Sequence, residues 1–211
     1  MGSNFTEHRL FFNMSFAVFI TPCGSLKTEL LSWKEKIRKE YINQPYLNHP
    51  PHMTLINTEV ISVETALNTI QKFDNSIKSF PISVKTTDVF WNDTATNGHT
   101  LFFKVEYDKT LFEIQKSLAN LIGPIKKKIR PPKNLTDNKL LLDSYEKYGF
   151  PFVGDHWIPH FTVASVLKEK TEPAIKSFLS NSKKYNFMVR ELSLWCVEHD
   201  QHTQLGIVKL Q

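Results

Sequence analysis

The chain has 211 residues, 41% of them hydrophobic, 12% aromatic and 22% charged, which excludes an intrinsically disordered chain and allows a packed core. Its longest apolar run, residues 16–20, is far too short to cross a bilayer, so no membrane span is expected. A net charge of +5 favours an anionic partner such as RNA or a nucleotide, although a solvated surface explains so small an excess equally well.

Two cysteines, Cys23 and Cys196, show no CxxC spacing and read as free thiols of a cytoplasmic protein. The start Met1-Gly2-Ser3-Asn4-Phe5-Thr6 fits an N-myristoylation pattern, but Met-Gly-Ser is also a common cloning remnant, and the latter reading is preferred.

In chain order, residues 9–21 are dense in Phe, Ile and Val and predict a buried strand. Ser25 is placed to cap a helix to about residue 39, with Leu26, Leu30, Trp33 and Ile37 on one face. A proline-bearing loop, 45–51, leads to a strand at 53–58. Ser62 caps a second helix, and residues 80–91 and 101–107 form a hairpin about a turn-rich 92–98. A third helix over 110–128 ends or kinks at Gly123-Pro124. Residues 131–149 are mostly loop, with a short helix at 137–148. Then follow a strand at 160–166, a helix capped by Thr171 with Pro173 early in it, a strand at 187–197, a turn, and a last strand at 203–210.

The order strand, helix, hairpin occurs twice. His52 and His160 stand 108 residues apart, Ser62 and Thr171 109, and Phe80 and Tyr185 105. Near-equal offsets indicate an internal duplication, and duplicated halves commonly pack about a pseudo-two-fold axis.

The equivalent positions carry the chemistry. Pro51-His52-Met53-Thr54-Leu55 matches Pro159-His160-Phe161-Thr162-Val163. Side chains two apart on a strand share a face, so each half presents an imidazole beside a hydroxyl, with Met53 or Phe161 turned to the opposite, apolar face. Phosphodiester cleavage needs a proton removed from the nucleophile and one delivered to the leaving oxygen. An imidazole pair does both near neutral pH, and threonine hydroxyls donate to the non-bridging oxygens. A single His-x-Thr is weak; the preceding proline and the matched positions give it weight.

On these motifs and the element order around them, residues 10–210 resemble the 2H phosphoesterase superfamily, which includes 2′-5′ RNA ligase-like and cyclic phosphodiesterase proteins. The resemblance implies an α+β fold of two pseudo-symmetric lobes, each an antiparallel sheet with helices on its outer face, forming a central cleft. Residues 1–211 then make one two-lobed domain, with an inter-lobe loop at about 131–155 that is a candidate lid or substrate-selecting insert. It also implies His52 and His160 as catalytic acid and base, Thr54 and Thr162 as phosphate ligands, no cofactor and no obligatory metal. The expected protein is a monomeric phosphodiesterase acting on RNA or a nucleotide.

Trp157 and Phe152, in the loop before the second motif, are candidate base-stacking residues, and packing within the lid segment explains them equally well. The basic run 126–130 either follows an RNA backbone or complements a helix C-terminus. Two other readings stand beside the enzyme. One is a phosphate-binding module without turnover. The other is a zinc hydrolase using His49, His52, His156 and His160, although Pro50-Pro51 and Pro159 interrupt any helix that would align those ligands.

Overall fold

A computed structural model describes residues 14–74, 76–198 and 201–211. The myristoylation pattern and the start of the first expected strand lie outside these residues. The described elements are β1 (Met14–Ile20), α1 (Gly24–Glu40), β2 (Met53–Glu59), α2 (Val63–Ile70), β3 (Phe80–Asp93), β4 (Gly98–Val105), α3 (Lys109–Ile122), α4 (Lys139–Tyr148), β5 (His160–Val166), α5 (Pro173–Leu179), β6 (Tyr185–Val189), β7 (Glu191–Glu198) and β8 (Gln201–Lys209).

The strands form two antiparallel four-stranded sheets, ordered β2-β1-β7-β8 and β5-β4-β3-β6. Alternation along β1 sends Phe16, Val18 and Ile20 into the helix-covered core, and Ala17 and Phe19 to the other face. Met53 and Phe161 are fully buried in that core, opposite the motif side chains, as the pattern predicts. Each such side chain contributes about 1.5–3 kcal/mol on burial. Leu26, Leu30, Trp33 and Ile37 form the buried stripe of α1.

The halves of the sequence are not the two sheets. Phe80 and Tyr185 begin strands that pair with each other, Phe80 opposite Val189 and Val84 opposite Tyr185. The expected strand 187–197 breaks at Arg190, leaving β6 beside β3 while β7 crosses to lie beside β1. No glycine or proline marks the break, so the sequence reads as continuous there.

The helices cross over too. Helix α1 follows β1 yet packs under β5 and β6, with Trp33 edge-on to Phe178 of α5 at 5.1 Å. Helix α3 follows β4 yet packs under β2 and against α2. Each sheet is therefore covered partly by a helix that grows out of the other.

Local capping follows the sequence at Ser62, which accepts from the Thr65 N–H at 3.0 Å. The first helix starts instead at Gly24, after Cys23, and Glu172 rather than Thr171 precedes α5. Helix α3 ends at Ile122 and tightens into a single 3₁₀ turn at Gly123–Ile125. Lys126 closes that turn, donating its N–H to the Gly123 carbonyl at 3.3 Å, and then bridges Val60 in extended conformation, so the basic run does not continue the helix.

The expected inter-lobe loop docks by its middle on α3, while Asn134 near its start donates to the Thr94 hydroxyl in the β3–β4 turn at 3.5 Å. Helix α4, capped by Asn138, packs on α3, and Gly149 ends it in the left-handed region at φ 71°. A Cβ at Gly149 would overlap Thr58 Oγ1 on the core face of β2, so only glycine lets this segment seat there.

Candidate active site

Strands β2 and β5 are the edge strands of their sheets, and these edges approach each other. Each motif begins its strand. In both, the histidine Nδ1 lies against the carbonyl two residues back: His52 on Pro50 at 2.7 Å and His160 on Ile158 at 2.6 Å. A carbonyl only accepts, so Nδ1 carries the hydrogen and Nε2 is left for chemistry. The intervening Pro51 and Pro159 fix φ and hold the preceding residue extended, which presents that carbonyl to the ring.

A bulge follows each motif. Val18 pairs with Ile56 but Phe19 with Thr54, so Leu55 is the extra residue; Leu101 pairs with Ala164 but Phe102 with Thr162, so Val163 is. The bulge ends the alternation after His and Thr have faced one way. Thr54 and Thr162 are both half-buried, on the face of their histidines.

The neighbouring strand supplies a phenylalanine floor to each motif. The Phe19 ring stacks on His52, centroids 3.9 Å apart and planes at 15°. His160 meets Phe102 and Phe90 edge-on, each at 5.1 Å, and those two rings stack at 4.1 Å. Burial pushes the His52 imidazole down to about 3, with the nearby His202, His49 and Lys34 acting in the same direction. Burial also lowers His160, but the Asp93 carboxylate opposes that by favouring its charged form. Asp93 is held by the Thr100 hydroxyl, which donates to Oδ2 at 2.6 Å.

Trp157 does not offer a stacking face. It is 5% exposed, packs edge-on to Phe112 at 5.2 Å, and donates its indole N–H to the Thr54 carbonyl at 3.1 Å. An indole buries well when its N–H finds a partner, and here the partner is the backbone of the other motif. Phe152 keeps a ring 43% exposed beside Phe150.

The zinc ligand set does not assemble. Among the described residues no group of three or more His, Cys, Asp or Glu side chains is arranged to hold a metal ion. His49 sits against His202, centroids 4.4 Å apart, and His156 lies in a separate 3₁₀ turn at Gly154–His156. Both cysteines are free thiols. No described helix is long and apolar enough to cross a membrane.

Several participants gave no motif signal: Phe19, Phe102, Asp93 and His202 come from other strands and meet the histidines only through pairing register. Lys34 and Gln115 did leave a trace. Each interrupts an apolar helical stripe, Lys34 four residues after Leu30 and Gln115 four after Leu111.

The profile of the 2′-5′ RNA ligase superfamily matches residues 26–201. Among solved structures, the fold is similar to TT0787 of Thermus thermophilus, at 15% identity and TM-score 0.60, over 93% of this chain and 97% of that one. It is also similar to Escherichia coli LigT complexed with NADP+, at 13% identity and TM-score 0.54, over 95% and 98%. The complex of LigT with 3′-AMP matches at 12% identity and TM-score 0.55, over the same shares. No curated protein matches the chain by sequence.

Proposed function

The chain belongs to the 2′-5′ RNA ligase superfamily, among the 2H phosphoesterases, and from that premise we propose a metal-independent phosphodiesterase acting on RNA ends or nucleotides. Its substrate is a 2′,3′-cyclic phosphate or a 2′-5′ phosphodiester, and the chain works as a monomer. One observation carries the reading: both histidines donate Nδ1–H to the carbonyl two residues back, freeing Nε2 beside a threonine two residues on. The LigT complexes with 3′-AMP and NADP+ point to the same ligand class.

The charges around the two rings support a division of roles. His52, among basic neighbours, favours the neutral form and serves as base; His160, facing Asp93, is the ring more readily kept protonated and serves as acid. An incoming phosphodiester anion raises both imidazoles toward neutrality.

With a 2′,3′-cyclic phosphate, His52 Nε2 takes a proton from water as its oxygen bonds to phosphorus. The bond from phosphorus to the 3′ oxygen breaks, and His160 Nε2–H protonates that oxygen. A 2′-phosphate and a 3′-hydroxyl result, and exchange with solvent resets both rings. Thr54 and Thr162 donate to the non-bridging oxygens as charge builds there. The exposed Phe152 ring offers a base a stacking face.

The test is turnover of cyclic-phosphate, 2′-5′ and 3′-5′ substrates with chelator present. Activity insensitive to chelator is expected. Activity lost to chelator and restored by zinc would mean a metallohydrolase, and phosphate binding without turnover on any substrate would mean a binding module.

A further inference from the structure

The polar residues buried in α1 and α3 occupy mirrored places. Lys34 is 3% exposed, and its ammonium donates to the Val163 carbonyl at 2.8 Å and the Tyr46 carbonyl at 2.5 Å. Gln115 is fully buried. Its Nε2 donates to the Leu55 carbonyl at 3.2 Å and the Phe152 carbonyl at 2.9 Å, and its Oε1 accepts from the Gly154 N–H at 3.1 Å.

Val163 and Leu55 are the bulge residues that follow the two motifs. Tyr46 belongs to the loop that leads to His52; Phe152 and Gly154 belong to the loop that leads to His160. Each side chain thus grips the strand edge just past one motif and the loop just before the other. The loops cross in the same sense. Ser165 N–H donates to the Pro45 carbonyl at 3.0 Å, and Trp157 donates to Thr54. The chain places one entry loop along β5 and the other along β2.

We propose that Lys34 and Gln115 are matched positioning residues, buried struts that set the two His-x-Thr motifs against each other. The proposal rests on the two-histidine reading. A bulge carbonyl has left the regular ladder, and inside the protein it needs a donor. A side chain that supplies it while also holding the opposite loop turns two independent edges into one rigid frame. That frame is what a reaction needing two imidazoles on one phosphorus requires, because ångström-scale misplacement is costly to rate. Burial pushes the Lys34 ammonium down to about 7, and either protonation state retains two N–H donors for its two carbonyls.

Lys34→Met and Gln115→Met keep length and remove the donors; Lys34→Gln keeps a donor and copies the partner strut. Two readouts are needed: kcat and KM on a 2′,3′-cyclic nucleotide, and the imidazole nitrogen resonances of His52 and His160 in the free protein. Each Met variant is expected to shift both imidazoles and lower kcat by about 10- to 100-fold with KM within about two-fold, and Lys34→Gln to recover about tenfold. Unmoved imidazole resonances or wild-type kcat in both Met variants overturn the proposal. If a Met variant fails to fold, Lys34→Gln decides alone: near wild-type kcat supports the strut, and a folded protein with kcat down by about 10-fold or more overturns it. A wild type inert on every substrate sinks the enzymatic reading instead, while the imidazole shifts still report on the struts.

Discussion

The two motifs are held alike and charged differently. Each imidazole is pinned by a carbonyl two residues back, floored by a phenylalanine from the neighbouring strand, and followed by a bulge. Their electrostatic surroundings diverge. His52 has Lys34, His49 and His202 near it, whereas His160 has Asp93. In the proposed mechanism the like geometry makes the two rings equivalent partners for a phosphate, and the unlike charge assigns the proton to His160.

Replacing a histidine breaks the comparison most. His52→Ala and His160→Ala are each expected to lower kcat by about 10²–10⁴-fold, measured under single-turnover conditions. If one loss were small, that ring would not be an obligatory acid or base. Next come the hydroxyls. Thr54→Val and Thr162→Val keep shape and remove the donor, and each is expected to lower kcat by about 10- to 100-fold with little change in binding of a phosphate product. Unequal losses would show which threonine faces the developing charge.

The charge difference is sharpened by Asp93→Asn, which preserves an acceptor for Thr100. Asp93 raises the pKa of His160, so its neutralisation lowers that pKa further. For an acid that must be protonated, the alkaline limb of the pH profile of kcat/KM moves to lower pH, while the acid limb governed by His52 stays in place. Movement of the acid limb instead would exchange the two roles.

The motifs and the element order were legible because strand alternation is local: His52, Thr54 and Met53 declare their faces in three residues, as do His160, Thr162 and Phe161. The stripe of α1 and the cap at Ser62 were legible for the same reason. Trp157 stayed open between stacking and packing in the sequence because an aromatic in a loop carries no sign of whether its N–H will find a carbonyl, here Thr54. The break at Arg190 and the crossing of α1 and α3 are set by long-range pairing that no local pattern encodes. Asp93 and His202 reach the histidines only through that pairing.

The crossing at Arg190 has a bearing on how the chain can be cut. A fragment ending before β7 would contain every strand of the β5-β4-β3-β6 sheet, yet leave β1 with a bare hydrogen-bonding edge where β7 belongs. Such an edge invites pairing with other chains. The ribbon of β7 and β8 is thus a closure element, and the protein reaches its native state only once residues 191–209 have been made.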